Sequence, residues 1–86
     1  MKAFPQILLN VRVSSRPKLE EHPVIGAEAA SVRARLGDTG RLVLRYSGTE
    51  ALARVMIEGT DAGLVETLAR RLAAVIRQEI GADEPA

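Results

Sequence analysis

The chain has 86 residues, of which 47% are hydrophobic and 27% charged, which describes one small domain spanning residues 1–86 and is too apolar for disorder. A formal net charge of +1 gives no electrostatic ground for binding nucleic acid or an anionic membrane, and one Phe with one Tyr leaves no platform for stacking bases. Zero cysteines exclude a disulfide framework, a cysteine metal site and a thiol nucleophile, and no apolar run approaches the roughly 20 residues of a membrane span.

Met1-Lys2-Ala3-Phe4 is followed at once by Pro5, so no signal-peptide pattern opens the chain and the cytoplasm is the expected location. Ile7, Leu9, Val11 and Val13 then alternate with Leu8, Asn10 and Arg12, which predicts a first strand. Ser14 to Glu21 is polar and broken by Pro17, the pattern of a loop. His22, the only histidine, has no metal-ligand spacing to any partner and reads as a surface or helix-start residue. Pro23 suits the first turn of a helix, for which Val24, Ala27, Ala30 or Ser31, and Ala34, with Val32 and Leu36 nearby, supply a weak apolar stripe. Gly26 weakens that helix by up to about 1 kcal/mol relative to Ala, and Arg33 and Arg35 fall on its polar side. Gly37-Asp38-Thr39-Gly40 ends it.

From Arg41 the pattern changes period. Two alternating runs, Leu42–Tyr46 and Leu52–Ile57, flank the polar loop Ser47-Gly48-Thr49-Glu50 and predict a hairpin. Placing Arg45 opposite Arg54 puts Leu44 against Val55, Leu42 against Ile57 and Tyr46 against Ala53 on one apolar face, with Arg41 opposite Glu58 on the other. A slip of one residue would turn one apolar set outward. Like charges opposite one another on a sheet repel, and two guanidiniums at a Ser-Gly-Thr loop gain from sharing an anion, since arginine presents a planar fork of donors suited to phosphate. Ser47 and Thr49 offer hydroxyls, Gly48 permits close approach of the backbone, and successive amides can form an anion nest. The same residues also fit a polar hairpin tip with two solvated arginines. Beyond the hairpin, Thr60 or Asp61 caps a helix carrying Leu64, Val65, Leu68, Leu72, Val75, Ile76 and Ile80 at helical spacing, with Glu66 and Arg70 as an i, i+4 pair. Gly81 is placed to end that helix, and Ala82–Ala86 reads as a frayed tail.

The order strand, helix, strand, strand, helix gives an α+β two-layer sandwich, a small, largely antiparallel sheet with two helices on one face. Its open face, with Leu8, Val43 and Met56 between charges, is a candidate contact surface.

Arg45-Tyr46-Ser47-Gly48-Thr49-Glu50, followed by Arg54-Val55-Met56-Ile57-Glu58-Gly59, resembles the C-terminal phosphate-binding segment of the bacterial phosphoglucosamine mutase family, within the α-D-phosphohexomutases. Gly40–Arg45 resembles the strand leading into it, and Pro5–Val13 the entry to that last domain. The resemblance implies a TATA-box-binding-protein-like fold, a label of shape that carries no DNA function. It implies that Arg45, Ser47, Gly48, Thr49 and Arg54 hold the non-reacting phosphate of a sugar phosphate, with Glu50 in support by orienting an arginine. It implies an isomerase that interconverts glucosamine 6-phosphate and glucosamine 1-phosphate for UDP-N-acetylglucosamine and cell-wall synthesis. The phosphoserine, the Mg²⁺ and the general acid/base of that enzyme belong to other domains, the parent enzyme's remaining domains being the implied partners. A hexosamine bisphosphate intermediate is implied there too, and this domain alone should be inactive, with no cofactor, metal or catalytic residue of its own. Ser47 has no neighbouring base and does not read as a nucleophile. Ala51 departs from the proline usual in the family, which adds unfolded-state freedom worth about 0.4–1 kcal/mol. Two other readings stand beside this one. The first is the same domain of a phosphoglucomutase or phosphomannomutase. The second is a stand-alone adaptor binding protein or RNA through Arg12, Arg33, Arg35, Arg70 and Arg71.

Overall fold

Alternating side chains produce three strands: β1 (Gln6–Arg12), β2 (Gly40–Tyr46) and β3 (Leu52–Gly59). They form one sheet in the order β1-β3-β2, and both pairings are antiparallel. The computed structural model describes residues 5–82, so the absence of a signal pattern at Met1–Phe4 and most of the expected tail, 83–86, lie outside the described residues. The hairpin register is the one that burial demands: Arg45 faces Arg54, Leu44 faces Val55, Leu42 faces Ile57 and Arg41 faces Glu58. The Arg41–Glu58 pair closes to 2.5 Å.

Two helices, α1 (Pro23–Leu36) and α2 (Ala62–Ile80), cover one face of the sheet. Val11, Ala53, Val55 and Ile57 of the sheet are fully buried against Ile25, Val32, Leu72 and Ile76 of the helices. Each such aliphatic side chain stabilises the fold by roughly 1.5–3 kcal/mol. Helix α2 follows its sequence pattern closely. Asp61, not Thr60, caps it, accepting from the Leu64 amide at 3.1 Å, and the Arg70–Glu66 pair forms at 2.9 Å. Leu64 and Val75 lie at the margin of its buried face, where Ala69 and Ala73 complete the stripe.

Helix α1 departs from the expected stripe. Its buried residues are Ile25, Ala29, Val32 and Leu36, whereas Ala27, Ala30, Ser31 and Ala34 face solvent and Val24 is 46% exposed. The large aliphatics Ile25, Val32 and Leu36, at i, i+7 and i+11, fix which face is buried, because they remove far more apolar area from water than alanines do. The His22 ring caps this helix, Nδ1 accepting from the Val24 and Ile25 amides at 3.2 Å each.

The connection from β1 is not all loop. Leu19–Glu21 forms one 3-10 turn, which buries Leu19. Gly26 belongs to this junction. A Cβ on it would stand 2.5 Å from the Glu20 backbone oxygen, so the glycine permits the close approach. Gly37, at φ 53°, takes a backbone angle that side chains disfavour and leads from α1 into a 3-10 turn, Gly37–Thr39. Gly81, by contrast, is extended and bridges to Val13, with the Ser14 amide donating to the Ile80 carbonyl at 2.8 Å, so α2 ends by joining the edge of the sheet.

Candidate phosphate-binding site

The face of the sheet turned away from the helices is a ladder of three-residue rows, one residue from each strand. Gln6, Glu58 and Arg41 form one row, Leu8, Met56 and Val43 the next, and Asn10, Arg54 and Arg45 the third. The third row stands next to the loop joining β2 to β3. Alternation alone sends Arg45 and Arg54 to this face, since Leu44, Tyr46, Ala53 and Val55 all pack toward the helices.

The loop and the two arginines enclose a surface concavity of about 290 Å³, lined by Arg45, Tyr46, Ser47, Gly48, Thr49 and Arg54. All five residues expected to hold phosphate are therefore brought together, with Tyr46 added. Two positive side chains share this concavity. Arg45 and Arg54 make no ion pair among the described residues, although Arg33, Arg41, Arg70 and Arg71 all do. The Arg54 Nε is buried without a hydrogen-bond partner. A buried unpartnered donor costs roughly 1–3 kcal/mol.

Details of the loop differ from expectation. The Ser47 hydroxyl oxygen accepts from the amides of Thr49 and Glu50 at 3.4 and 3.3 Å, so Ser47, 7% exposed, shapes the turn from within. Those two amides point at Ser47 and not outward, which replaces the expected backbone nest. The loop closes through the Ser47 amide donating to the Leu52 carbonyl at 2.8 Å. Gly48 lies outside the positive-φ region, and a Cβ on it would meet nothing within 4 Å. Its contribution is open space over the loop. Glu50 does not orient an arginine through its carboxylate, which makes no ion pair among the described residues; its backbone carbonyl does the work, accepting from Arg16 Nη2 at 3.1 Å and from the Leu52 amide at 2.8 Å.

Arg16 and Tyr46 are the residues that sequence reading missed. The Tyr46 hydroxyl donates to the Pro17 carbonyl, and burial pushes its phenol above the ordinary range, partly offset by the nearby Arg16 charge. No local signal marks these contacts, which join positions 29 and 34 residues apart. The arginines of the adaptor reading are largely engaged elsewhere. Arg33 holds both Glu20 carboxylate oxygens at 2.7 Å, which draws Glu20 below the usual carboxylate range. Arg71 reaches Glu28 at 3.3 Å.

Among the described residues no three His, Cys, Asp or Glu side chains gather as metal ligands, and no helix is long and apolar enough to cross a membrane. The donor set at the concavity, guanidinium and hydroxyl, suits an oxyanion and not a cation.

Residues 8–75 match the family described as phosphoglucomutase/phosphomannomutase, C-terminal domain. The chain is 53% identical over 77 residues to a phosphoglucosamine mutase of Desulfovibrio desulfuricans, covering 90% of this chain and 17% of that protein. It is 46% identical over 81 residues to a phosphoglucosamine mutase of Syntrophotalea carbinolica, covering 94% of this chain and 18% of that protein. The fold matches the crystal structure of Aspergillus fumigatus N-acetylphosphoglucosamine mutase in complex with GlcNAc-6P and magnesium, at TM-score 0.73 and 31% identity, covering 90% of this chain and 16% of that one. The chain thus spans less than a fifth of the length of the relatives it matches.

Proposed function

Because the chain belongs to the phosphoglucomutase/phosphomannomutase C-terminal domain family, we propose that residues 1–86 are the phosphate-binding C-terminal domain of a phosphoglucosamine mutase. The parent enzyme would be a cytoplasmic isomerase interconverting glucosamine 6-phosphate and glucosamine 1-phosphate. The glucosamine branch is preferred over the glucose and mannose branches because the relatives at 53% and 46% identity carry that name.

The observation that carries the reading is the pair Arg45 and Arg54, directly opposite on adjacent strands, without an ion pair among the described residues and open to one concavity with Ser47, Gly48 and Thr49. In this role the clamp grips the phosphate that does not react. The guanidiniums supply charge and paired donors, the Thr49 hydroxyl supplies a further donor, and Ser47 keeps the loop in shape. Binding energy gathered at the phosphate fixes the sugar's position, which is how a remote grip lowers the barrier of a transfer performed elsewhere. A clamp that reads phosphate and little of the sugar serves either end of the hexosamine, as a mutase passing through a bisphosphate requires. The residues present do not fit magnesium, which the relative from Aspergillus fumigatus binds together with GlcNAc-6P. The nucleophile and the acid/base would likewise come from the rest of the parent enzyme.

The test is a titration of the 86-residue chain with inorganic phosphate and with glucosamine 6-phosphate, followed by amide NMR. Binding near the millimolar range, worth about 4 kcal/mol, is expected. Shifts should centre on Ser47–Glu50 and vanish in Arg45→Ala. No response in this loop at tens of millimolar ligand (roughly tenfold above the expected midpoint) would remove the assignment.

A further inference from the structure

The phosphate loop is held from two sides, and the outer hold comes from the segment just after β1. The Val13 amide donates to the Ala51 carbonyl at 3.0 Å, Arg16 Nη2 donates to the Glu50 carbonyl at 3.1 Å, and the Tyr46 hydroxyl donates to the Pro17 carbonyl. The inner hold combines two long hydrogen bonds to Ser47 Oγ, at 3.3 and 3.4 Å, with two backbone bonds of 2.8 Å between Leu52 and the residues Ser47 and Glu50. The Glu50 carbonyl is held from both sides, by the Leu52 amide within the loop at 2.8 Å and by Arg16 from outside it. Ala51 has no ring to fix its backbone, and its amide donates to no backbone carbonyl among the described residues. Arg16 reaches the Glu50 carbonyl with a charged donor, the stronger kind.

We propose that Arg16 is a positioning residue of the clamp: by anchoring the Glu50 carbonyl it fixes the exit of the loop and so holds Ser47, Gly48 and Thr49 in register with Arg45 and Arg54. This rests on the phosphate-clamp reading. Arg16 acts through the loop and not on the ligand. Being exposed, it can be replaced without opening the core. Its function can also be restored from a different position. Proline at 51 would fix the same stretch of backbone without removing a backbone hydrogen bond.

The test measures affinity of the 86-residue chain for inorganic phosphate, at two ionic strengths, in Arg16→Ala, Arg16→Lys and the double variant Arg16→Ala/Ala51→Pro. Arg16→Ala should weaken binding about tenfold, the order carried by one charge-assisted hydrogen bond. The loss should be the same at both ionic strengths, and Ala51→Pro should recover most of it. Arg16→Lys should lie between. Wild-type affinity in Arg16→Ala overturns the proposal, and so does a loss that salt abolishes or that Ala51→Pro leaves untouched, since either result assigns Arg16 only a distant charge. A wild-type chain that binds no phosphate overturns the clamp itself, and this inference with it.

Discussion

Arg54→Met should make the phosphate-free chain more stable while abolishing phosphate binding. Two costs sit on Arg54. Its Nε is buried without a partner, a penalty of roughly 1–3 kcal/mol. It also faces Arg45 directly across the hairpin, and like charges so placed cost about 0.2–1 kcal/mol. Methionine keeps an apolar stem to pack between the neighbouring rows and removes both costs. The net gain expected is about 1–3 kcal/mol. For a small domain the urea slope is about 1 kcal/mol per molar, so the unfolding midpoint should rise by about 1 M or more at unchanged slope. Repeating the unfolding in phosphate at about a hundredfold its dissociation constant should stabilise the wild type by about 2.7 kcal/mol and leave the variant unmoved. The gap between the two proteins then closes or reverses. A variant that unfolds at lower urea than wild type in phosphate-free buffer would falsify the reasoning, because it would mean that Arg54 is already satisfied without an anion.

Gly26→Ala should destabilise, against the helix-propensity gain of about 1 kcal/mol, because the new Cβ would stand 2.5 Å from the Glu20 carbonyl oxygen and overpacking of this kind costs about 1–3 kcal/mol; an unfolding midpoint equal to or above wild type would refute it. Tyr46 is the only tyrosine and the chain has no tryptophan, so tyrosinate absorbance reports on one residue. Its folded phenol ionises above the ordinary range, so its contribution to stability is intact below the unfolded value near 10 and is lost as pH rises through the folded one; Tyr46→Phe should flatten that alkaline decline. Glu20, held below the usual carboxylate range first by its hydrogen bonds from Arg33, contributes stability above the unfolded carboxylate value of about 4.3 that is lost as pH falls through the folded one. The pair is about half exposed, so Arg33→Gln should narrow the difference in stability between neutral and acid pH by less than about 1 kcal/mol.

The pairing of the hairpin was legible because one constraint decided it: only one register buries Leu42, Leu44, Val55 and Ile57 together, and the positions of Arg41, Arg45 and Arg54 follow. Helix α2 was legible for the same reason, its apolar stripe being long and its polar face uninterrupted. Helix α1 was not. Its alanines suggest one stripe and its large aliphatics another, and the choice depends on how much area the sheet can cover, which periodicity does not encode. Gly26 was legible only as a propensity cost, because the carbonyl that needs its missing side chain comes from the preceding turn, a contact between elements. The chemistry of the loop was legible as residue types, yet the direction of the Ser47 hydrogen bonds and the reach of Arg16 depend on three-dimensional paths.

The strand order β1-β3-β2 places the two arginines on unequal supports. Arg54 sits on the middle strand, hydrogen-bonded on both sides, whereas Arg45 sits on an outer strand with one neighbour among the described residues. The grip therefore has a fixed jaw and a movable one. In the proposed clamp, an outer strand opens at lower free-energy cost than a central one, so β2 with Arg45 would ease away as an anion leaves while Arg54 stays in place. Residence time in that clamp should then depend on how firmly β2 adheres to β3, and substitutions along that seam, far from any phosphate oxygen, should change it.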